Sequence, residues 1–363
     1  MRPAIPKDDI KDQFAFRPSG STTAALIFMT HTVTNFLENN RYVRCLFIDF
    51  SKAFDVIDHS ILLCKLRDLD IPKQVYNWII SFLCDRDQVV KLNNVISKPC
   101  AINRGVVQGS GMGPTLFSVM VSDIKLLSVV NKLDKYVDDT TVLAPENTDV
   151  SIEEEFQSIL DWAAKNNMLI NKDKTKEIVF HRPDPRNFVP PTPIDGIEVV
   201  DSAKLLGIVV NSTLNFEEQV VTCLKQCSQR TFLIRKLRDQ GLNSRCLTIV
   251  FDALILSRIR YALSAYGGFL NKGQIERVDG FLRRAFKYKL CCKVFTIDEL
   301  LYHSDKNMFK AIQNETHCLN NLLPAIKNVS YGLRKQGHNY ILPDIKFELN
   351  KKSFINRVLF RFI

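Results

Sequence analysis

No stretch of about 18 consecutive apolar residues occurs in the 363-residue chain, although 46% of its residues are hydrophobic. A membrane-spanning helix is therefore not expected, and no membrane partner is expected either. The first residues, Met1-Arg2-Pro3-Ala4-Ile5-Pro6-Lys7-Asp8-Asp9, lack the apolar core of a signal peptide. The expectation is an intracellular protein, cytoplasmic or nuclear, that is not secreted. Ten cysteines are scattered through apolar helical patterns, which suits reduced, buried thiols better than disulfides. Cys223 and Cys227 lie four apart but lack a nearby His or a second Cys pair, so zinc is not expected. The glycines from Gly109 to Gly113 form neither a dinucleotide fingerprint nor a Walker loop. Pro114 stands where the third glycine of the first belongs, and no Gly-Lys-Ser/Thr follows for the second. Internal repeats and low-complexity segments are absent as well.

What is present is charge, unevenly placed. The chain has a net charge of +10, and residues 216–363 hold 25 Lys/Arg against 12 Asp/Glu. A near-neutral first part followed by a basic part suits a catalytic lobe with a lobe that grips a polyanion. The length favours two or three lobes with a substantial core.

The acidic residues that matter sit in the first part. Leu133-Asp134-Lys135-Tyr136-Val137 reads as a strand, and Thr140-Thr141-Val142-Leu143-Ala144 as another. Asp138 and Asp139 then fall at the tight turn of a hairpin. Adjacent carboxylates repel unless a cation neutralises them, and hard oxygen ligands suit Mg²⁺. A second carboxylate, Asp49, interrupts the apolar run Cys45-Leu46-Phe47-Ile48-Asp49-Phe50, which reads as a central strand. A buried carboxylate has to be paired, protonated or metal-bound. If Asp49 meets Asp138 and Asp139, three carboxylates can hold two metal ions for phosphoryl transfer. The bland alternatives are an acidic surface turn and an Asp49 paired with Lys52 or Arg44.

Five segments in order resemble the motifs of reverse transcriptases. They are Phe47-Ile48-Asp49-Phe50-Ser51-Lys52-Ala53-Phe54-Asp55, Gly105-Val106-Val107-Gln108-Gly109-Ser110-Gly111-Met112-Gly113-Pro114, Tyr136-Val137-Asp138-Asp139, Leu169-Ile170-Asn171-Lys172-Asp173-Lys174-Thr175 and Lys204-Leu205-Leu206-Gly207-Ile208. The Ser-Lys-Ala-Phe-Asp wording is similar to non-LTR retrotransposons of the jockey and LINE type. The resemblance covers roughly residues 10 to 290.

It implies an α+β right-hand polymerase fold: partial fingers over 1–44, a palm over 45–214 with helices and a hairpin inserted at about 60–100, a helical thumb over 215–290, and a helical basic extension over 291–363. It implies RNA-directed DNA synthesis from an RNA template, a DNA primer and deoxynucleoside triphosphates. Asp49, Asp138 and Asp139 would be catalytic and would ligate two Mg²⁺, or Mn²⁺ in their place, with Phe50 among the ligands. Lys174 would act on the departing pyrophosphate. Phe54, as steric gate, together with Gln108 and Gly109, would meet the nucleotide. Arg17, Leu206, Gly207, Arg235, Lys236 and Arg238 would meet nucleic acid. Relative to the family, the fingers are expected to be N-terminally truncated, and the endonuclease domain that commonly precedes them is expected to be absent. The competing reading is a catalytically silent remnant that at most binds nucleic acid. A metal-dependent nuclease lacks the His-rich or additional acidic cluster it would need.

Local patterns complete the reading. Thr22 or Thr23 is expected to cap a helix over 24–39. Asp55 and Asp58 are expected to supply a helix-start cap and local pairing for the helix that runs to Leu69, and Pro72 opens the next. In that next helix Val75, Trp78, Ile79, Phe82 and Leu83 make a core stripe. A hairpin turns at Asn93-Asn94, and Pro114 opens a helix. Ser151 and Glu154 form a capping box. Prolines 183, 185, 190, 191 and 193 mark a loop. Residues 205–210 read as one strand. Asn215 with Glu218, and Asn271 with Gln274, are expected as capping boxes. In the helix after Asn271, Ile275, Val278, Leu282 and Phe286 are expected to face inward.

Overall fold

A computed structural model describes residues 5–183, 188–327 and 337–363; Pro185 lies outside the described residues. The chain is a mixture of helix and sheet. In order the elements are α1 (Thr22–Phe36), β1 (Tyr42–Ile48), α2 (His59–Arg67), α3 (Lys73–Leu83), β2 (Arg86–Gln88), β3 (Lys91–Leu92), β4 (Val95–Ile96), β5 (Cys100–Ile102), α4 (Gly113–Met120), β6 (Lys132–Tyr136), β7 (Asp139–Pro145), α5 (Ile152–Lys165), β8 (Lys176–His181), β9 (Glu198–Val199), β10 (Ser202–Leu205) and β11 (Ile208–Asn211). Helices follow: α6 (Glu217–Asp239), α7 (Ser244–Phe251), α8 (Ser257–Arg260), α9 (Leu263–Tyr266), α10 (Lys272–Lys287), α11 (Ile297–Ile312), α12 (Glu348–Lys351) and α13 (Phe354–Arg361). A five-stranded sheet has the order β6-β7-β1-β8-β9. Within it β6 and β7 pair antiparallel, and β8 and β9 pair parallel.

Two compact units emerge from the contacts. One comprises Met1–Gly20, Cys45–Glu177 and Thr192–Val199, the other Ser21–Arg44, Ile178–Pro191 and Val200–Ile363.

The core of the first unit joins Leu46 and Ile48 of β1, Leu62 and Leu66 of α2, Leu116, Phe117 and Met120 of α4, Val142 of β7, and Phe156, Ile159 and Ala163 of α5. These positions follow from period-two alternation in the strands and i, i+3/i+4 spacing in the helices. Ser151 and Glu154 do form a capping box. Asp58 caps α2 by accepting from the Ser60 and Ile61 amides. The stripe on α3 is only half right: Ile79 and Leu83 are buried, but Trp78 is 54% exposed and stacks on Phe82. The hairpin does turn at Asn93-Asn94, with Leu92 opposite Val95. Its apolar residues face solvent.

The second unit packs helices. Asp305 on α11, fully buried, takes a two-pronged ion pair from Arg357 on α13, which also donates to the Ser264 carbonyl. Such a charge is tolerable only because its oxygens are satisfied. Five sequence expectations are corrected here. Ser21, not Thr22 or Thr23, caps α1, because Ser21 is still extended while Thr22 is already helical. Residues 205–210 are not one strand: Leu206 (φ 46°) and Gly207 (φ 84°) are both left-handed and turn β10 back into β11. Asn215 accepts from the Glu217 amide without a capping box, because left-handed Phe216 is the cap residue. Glu218 instead accepts from Ser202. On α10, whose Asn271–Gln274 box is present, Phe286 is exposed and Phe281 is buried in its place. All ten cysteines are free, but Cys64, Cys84, Cys100 and Cys292 are exposed, since each lies on an outward-facing position.

Candidate active site

The carboxylate-bearing segments all belong to the first unit. Tyr136 pairs with Asp139 across the β6–β7 hairpin, so Val137 and Asp138 alone form the turn. Two-residue hairpin turns require left-handed backbone, normally supplied by Asn or Gly. Here Val137, a β-branched residue, takes φ 63°.

Gln13 holds that turn from a distant part of the chain. Its carboxamide Oε1 accepts from the Val137 amide and the Ala15 amide, each at 3.0 Å. Its Nε2 donates to the Val137 carbonyl at 3.4 Å. The main chain on either side joins in: the Lys135 amide donates to the Asp12 carbonyl at 2.8 Å and the Phe14 amide to the Lys135 carbonyl at 2.7 Å. Residues 12–14 thus line β6 in parallel. Lys135, 1% exposed, donates to the Val121 carbonyl and pairs with Asp12 at 3.1 Å. Burial pulls the Lys135 ammonium down and pushes the Asp12 carboxyl up, and their mutual attraction opposes both shifts.

Asp49 follows β1 directly and is held by its backbone. The Asn171 amide donates to the Asp49 carbonyl at 2.8 Å, and the Asp49 amide donates to Thr175 Oγ1 at 3.3 Å. Fully buried Thr175 itself donates to the Asn171 carbonyl at 2.8 Å. The antiparallel bridge of Phe50 with Ile170 uses the Ser51 and Asn171 amides. The carbonyl of Phe50 is therefore directed away from that segment. Only this carbonyl can ligate a cation, because the Phe50 ring is buried beside Trp162.

The charges interact. Burial first, then the neighbouring charges of Asp138 and Asp49, push the Asp139 carboxyl up to about 6. Asp139 still reaches solvent, which discounts the burial part and leaves the repulsion chemically significant. Behind it Asp134 is fully buried, and burial followed by the charges of Asp12 and Asp139 pushes it well above the usual carboxylate range. Among the described residues no three His, Cys, Asp or Glu side chains are gathered closely enough to cage a metal ion. The donor set of Asp49, Asp138, Asp139 and the Phe50 carbonyl is nonetheless all hard oxygen with uncompensated negative charge. It fits Mg²⁺, which commonly takes one or two carboxylates and completes its shell with water and substrate phosphate.

A stability prediction follows from Asp139. Its folded value near 6 lies above the ordinary 3.8, so the native state holds this proton more tightly than the unfolded chain. The group's contribution to stability falls as pH rises from about 4 to about 6, and the cost is complete above that. In metal-free buffer at pH 7.5, Asp139→Asn should melt roughly 2 °C above wild type. Thermal melts at pH 4 should show that gap closed; a gap unchanged by pH would contradict the repulsion.

The remaining candidates lie as follows. Phe54 is half-buried and stacks on Phe117 with ring centroids 4.5 Å apart at 17°. Gln108 is exposed and donates to Asp55 at 3.1 Å. A Cβ added at Gly109 (φ 84°) would meet nothing within 4 Å. Lys174 is exposed, with its amide bound to Asn171 Oδ1. Arg17 donates to the carbonyls of Ile10 and Lys11. In the second unit, Tyr261 donates to the Leu206 carbonyl at 2.7 Å and lies over Gly207. Arg235 stacks on Tyr288 at 4.1 Å, Lys236 lies over Phe232, and Arg238 bonds Asp239 and the Tyr288 carbonyl. Sequence reasoning missed Gln13, Asn171 and Thr175 as supports of the acidic residues. The signal for Gln13 was a polar side chain heading the largely apolar stretch Gln-Phe-Ala-Phe.

Among the described residues no helix is long and apolar enough to cross a membrane. The family described as reverse transcriptase (RNA-dependent DNA polymerase) matches residues 1–210. The chain is 25% identical over 311 residues to a probable RNA-directed DNA polymerase from transposon BS of Drosophila melanogaster, covering 82% of this chain and 34% of that protein. It is 30% identical over 285 residues to the RNA-directed DNA polymerase from mobile element jockey of the same species, covering 73% of this chain and 30% of that protein. The chain thus spans about a third of the length of these curated relatives. A telomerase from Candida albicans, solved with a fragment of telomeric RNA, is similar to 87% of the chain at 14% identity, with 53% of that chain covered and a TM-score of 0.40. With more than half of its length matched, including the segments that carry Asp49, Asp138 and Asp139, the chain belongs to the reverse transcriptase (RNA-dependent DNA polymerase) family.

Proposed function

We propose that the chain is the polymerase part of a non-LTR retrotransposon reverse transcriptase, which copies an RNA template by extending a DNA primer with deoxynucleoside triphosphates. The observation that carries this reading is the mutual influence of Asp49, Asp138 and Asp139 at the mouth of a two-residue hairpin turn. Asp139 feels the negative charges of both Asp138 and Asp49, and like charges within reach of one another favour a cationic partner. Asp49, Asp138, Asp139 and the Phe50 carbonyl would hold Mg²⁺, with Mn²⁺ as substitute. Bound there, the cations would supply activation of the primer 3′-hydroxyl and neutralisation of charge on the phosphates.

The protein's own groups would orient the reactants. Phe54, whose ring stacks on Phe117, would stand next to the incoming sugar and reject a 2′-hydroxyl. Gln108 and Gly109 offer an exposed polar edge and an open backbone to the nucleotide. Lys174, exposed on the loop that holds Asp49, would stabilise negative charge on the leaving pyrophosphate. We read the sheet-bearing part as a palm with fingers and the basic helices after residue 215 as a thumb. There the turn at Leu206 and Gly207, with Arg235, Lys236 and Arg238, would meet nucleic acid mainly through phosphates. Such a protein works inside the cell, in cytoplasm or nucleus.

The test is primer extension on an RNA template with Mg²⁺ and deoxynucleotides. Template-dependent extension by wild-type protein is expected. Salt-sensitive duplex binding by folded protein without any extension would identify a silent remnant instead.

A further inference from the structure

We propose that Gln13 is a positioning residue for the acidic turn: by clamping Val137 it presets the carboxylates of Asp138 and Asp139 for the cation. This rests on the polymerase reading given above and adds to it a residue outside the carboxylate set.

Three observations converge. The first is strain. A valine in the left-handed region is unfavourable, and persists where its surroundings over-determine it. Val137 is such a residue, and it is flanked by Tyr136 and Asp138 in a turn with no glycine or asparagine to stabilise it.

The second is the shape of the contact. Gln13 is 3% exposed and grips both the amide and the carbonyl of Val137. A single carboxamide thereby fixes the orientation of the peptide units on both sides of one residue. The third bond of this group, from the Ala15 amide, fixes the carboxamide itself.

The third is location. Gln13 lies 124 positions away in sequence, on a segment tied by main-chain bonds to Lys135. The lead-in is therefore a third rail of the acidic hairpin, placed where it can decide the direction of the residue after Val137. Tight cation binding needs ligands whose directions are set by a supporting shell. A turn free to relax from its strained conformation would present Asp138 in several directions and hold the cation weakly.

The experiment compares wild type, Gln13→Met, Val137→Asn and the double variant. The asparagine is at ease in the left-handed region, so the turn no longer needs the clamp. Mn²⁺ affinity is measured by electron paramagnetic resonance on protein alone, and kcat and duplex affinity by primer extension and filter binding. Gln13→Met is expected to weaken Mn²⁺ binding by about fivefold to tenfold and lower kcat by about tenfold, with duplex affinity within about twofold. In the Val137→Asn background the same change should cost less than about twofold in Mn²⁺ affinity. Unchanged Mn²⁺ affinity in Gln13→Met, or an equal loss in both backgrounds, would overturn the inference. If Gln13→Met does not fold, the double variant against Val137→Asn decides alone, and a tenfold drop there overturns it. Wild type that binds Mn²⁺ but extends no primer overturns the polymerase reading and leaves the clamp to be judged by Mn²⁺. Wild type that extends primer but binds no Mn²⁺ on its own overturns the clamp alone, and wild type that does neither overturns both.

Discussion

Asp138→Asn protein is expected to incorporate deoxynucleotides at least about 10³-fold more slowly than wild type on a primed RNA template. The substitution preserves size and leaves the Val137 backbone bonds to Gln13 intact, so the turn should keep its shape. What it removes is one full negative charge from a set whose members already repel one another. Several kcal/mol of transition-state charge stabilisation depend on cations that such a set recruits, and about 4 kcal/mol corresponds to that factor of 10³. Single-turnover extension with matched circular dichroism spectra is the measurement. A variant within about tenfold of wild type would remove Asp138 from the catalytic set.

Gly105→Ala is expected to destabilise the first unit by about 3 kcal/mol, a drop of roughly 6–12 °C in melting temperature. Gly105 has φ 80°, and a Cβ there would sit 2.7 Å from the Asp55 carbonyl oxygen and 3.0 Å from two more Asp55 backbone atoms. None of those atoms can rotate away. The Gly105 amide donates to the Ile57 carbonyl and the Val106 amide to the Phe54 carbonyl, so this approach also fixes the residue that braces against Phe117. Gly109 supplies the control: its φ is 84°, yet nothing lies within 4 Å. Gly109→Ala should cost only the left-handed strain, about 1 kcal/mol. Equal melting temperatures for the two variants would refute close packing as the reason for glycine at 105.

Local signals in the sequence read well wherever their physics spans a few residues. The Ser151–Glu154 and Asn271–Gln274 boxes, the Asp58 cap and the Asn93-Asn94 turn depend on hydrogen bonds or dihedrals within four positions. Asp49, Asp138 and Asp139 stood out because carboxylates interrupt apolar runs only for a reason, and in the fold Asp139 feels the charges of the other two. Leu206-Gly207 was misread because an apolar run with one glycine looks the same whether it continues as a strand or turns back. The pairing of Lys204 with Val209 decides it. Trp78 and Phe286 were misread because helical spacing names a stripe but not its edge.

By itself the sequence determined the residue types of the acidic set, the hairpin that carries two of them, and the family to which the chain belongs. Only the tertiary structure decided how that set is held. The Gln13 carboxamide on Val137, the Asn171 and Thr175 bonds to Asp49, and the buried Lys135–Asp12 pair each join segments more than 100 residues apart. A donor and an acceptor so far apart carry no local pattern, because their meeting depends on which strands lie side by side. Their bonds become readable only when the backbone has placed both groups in the same buried layer.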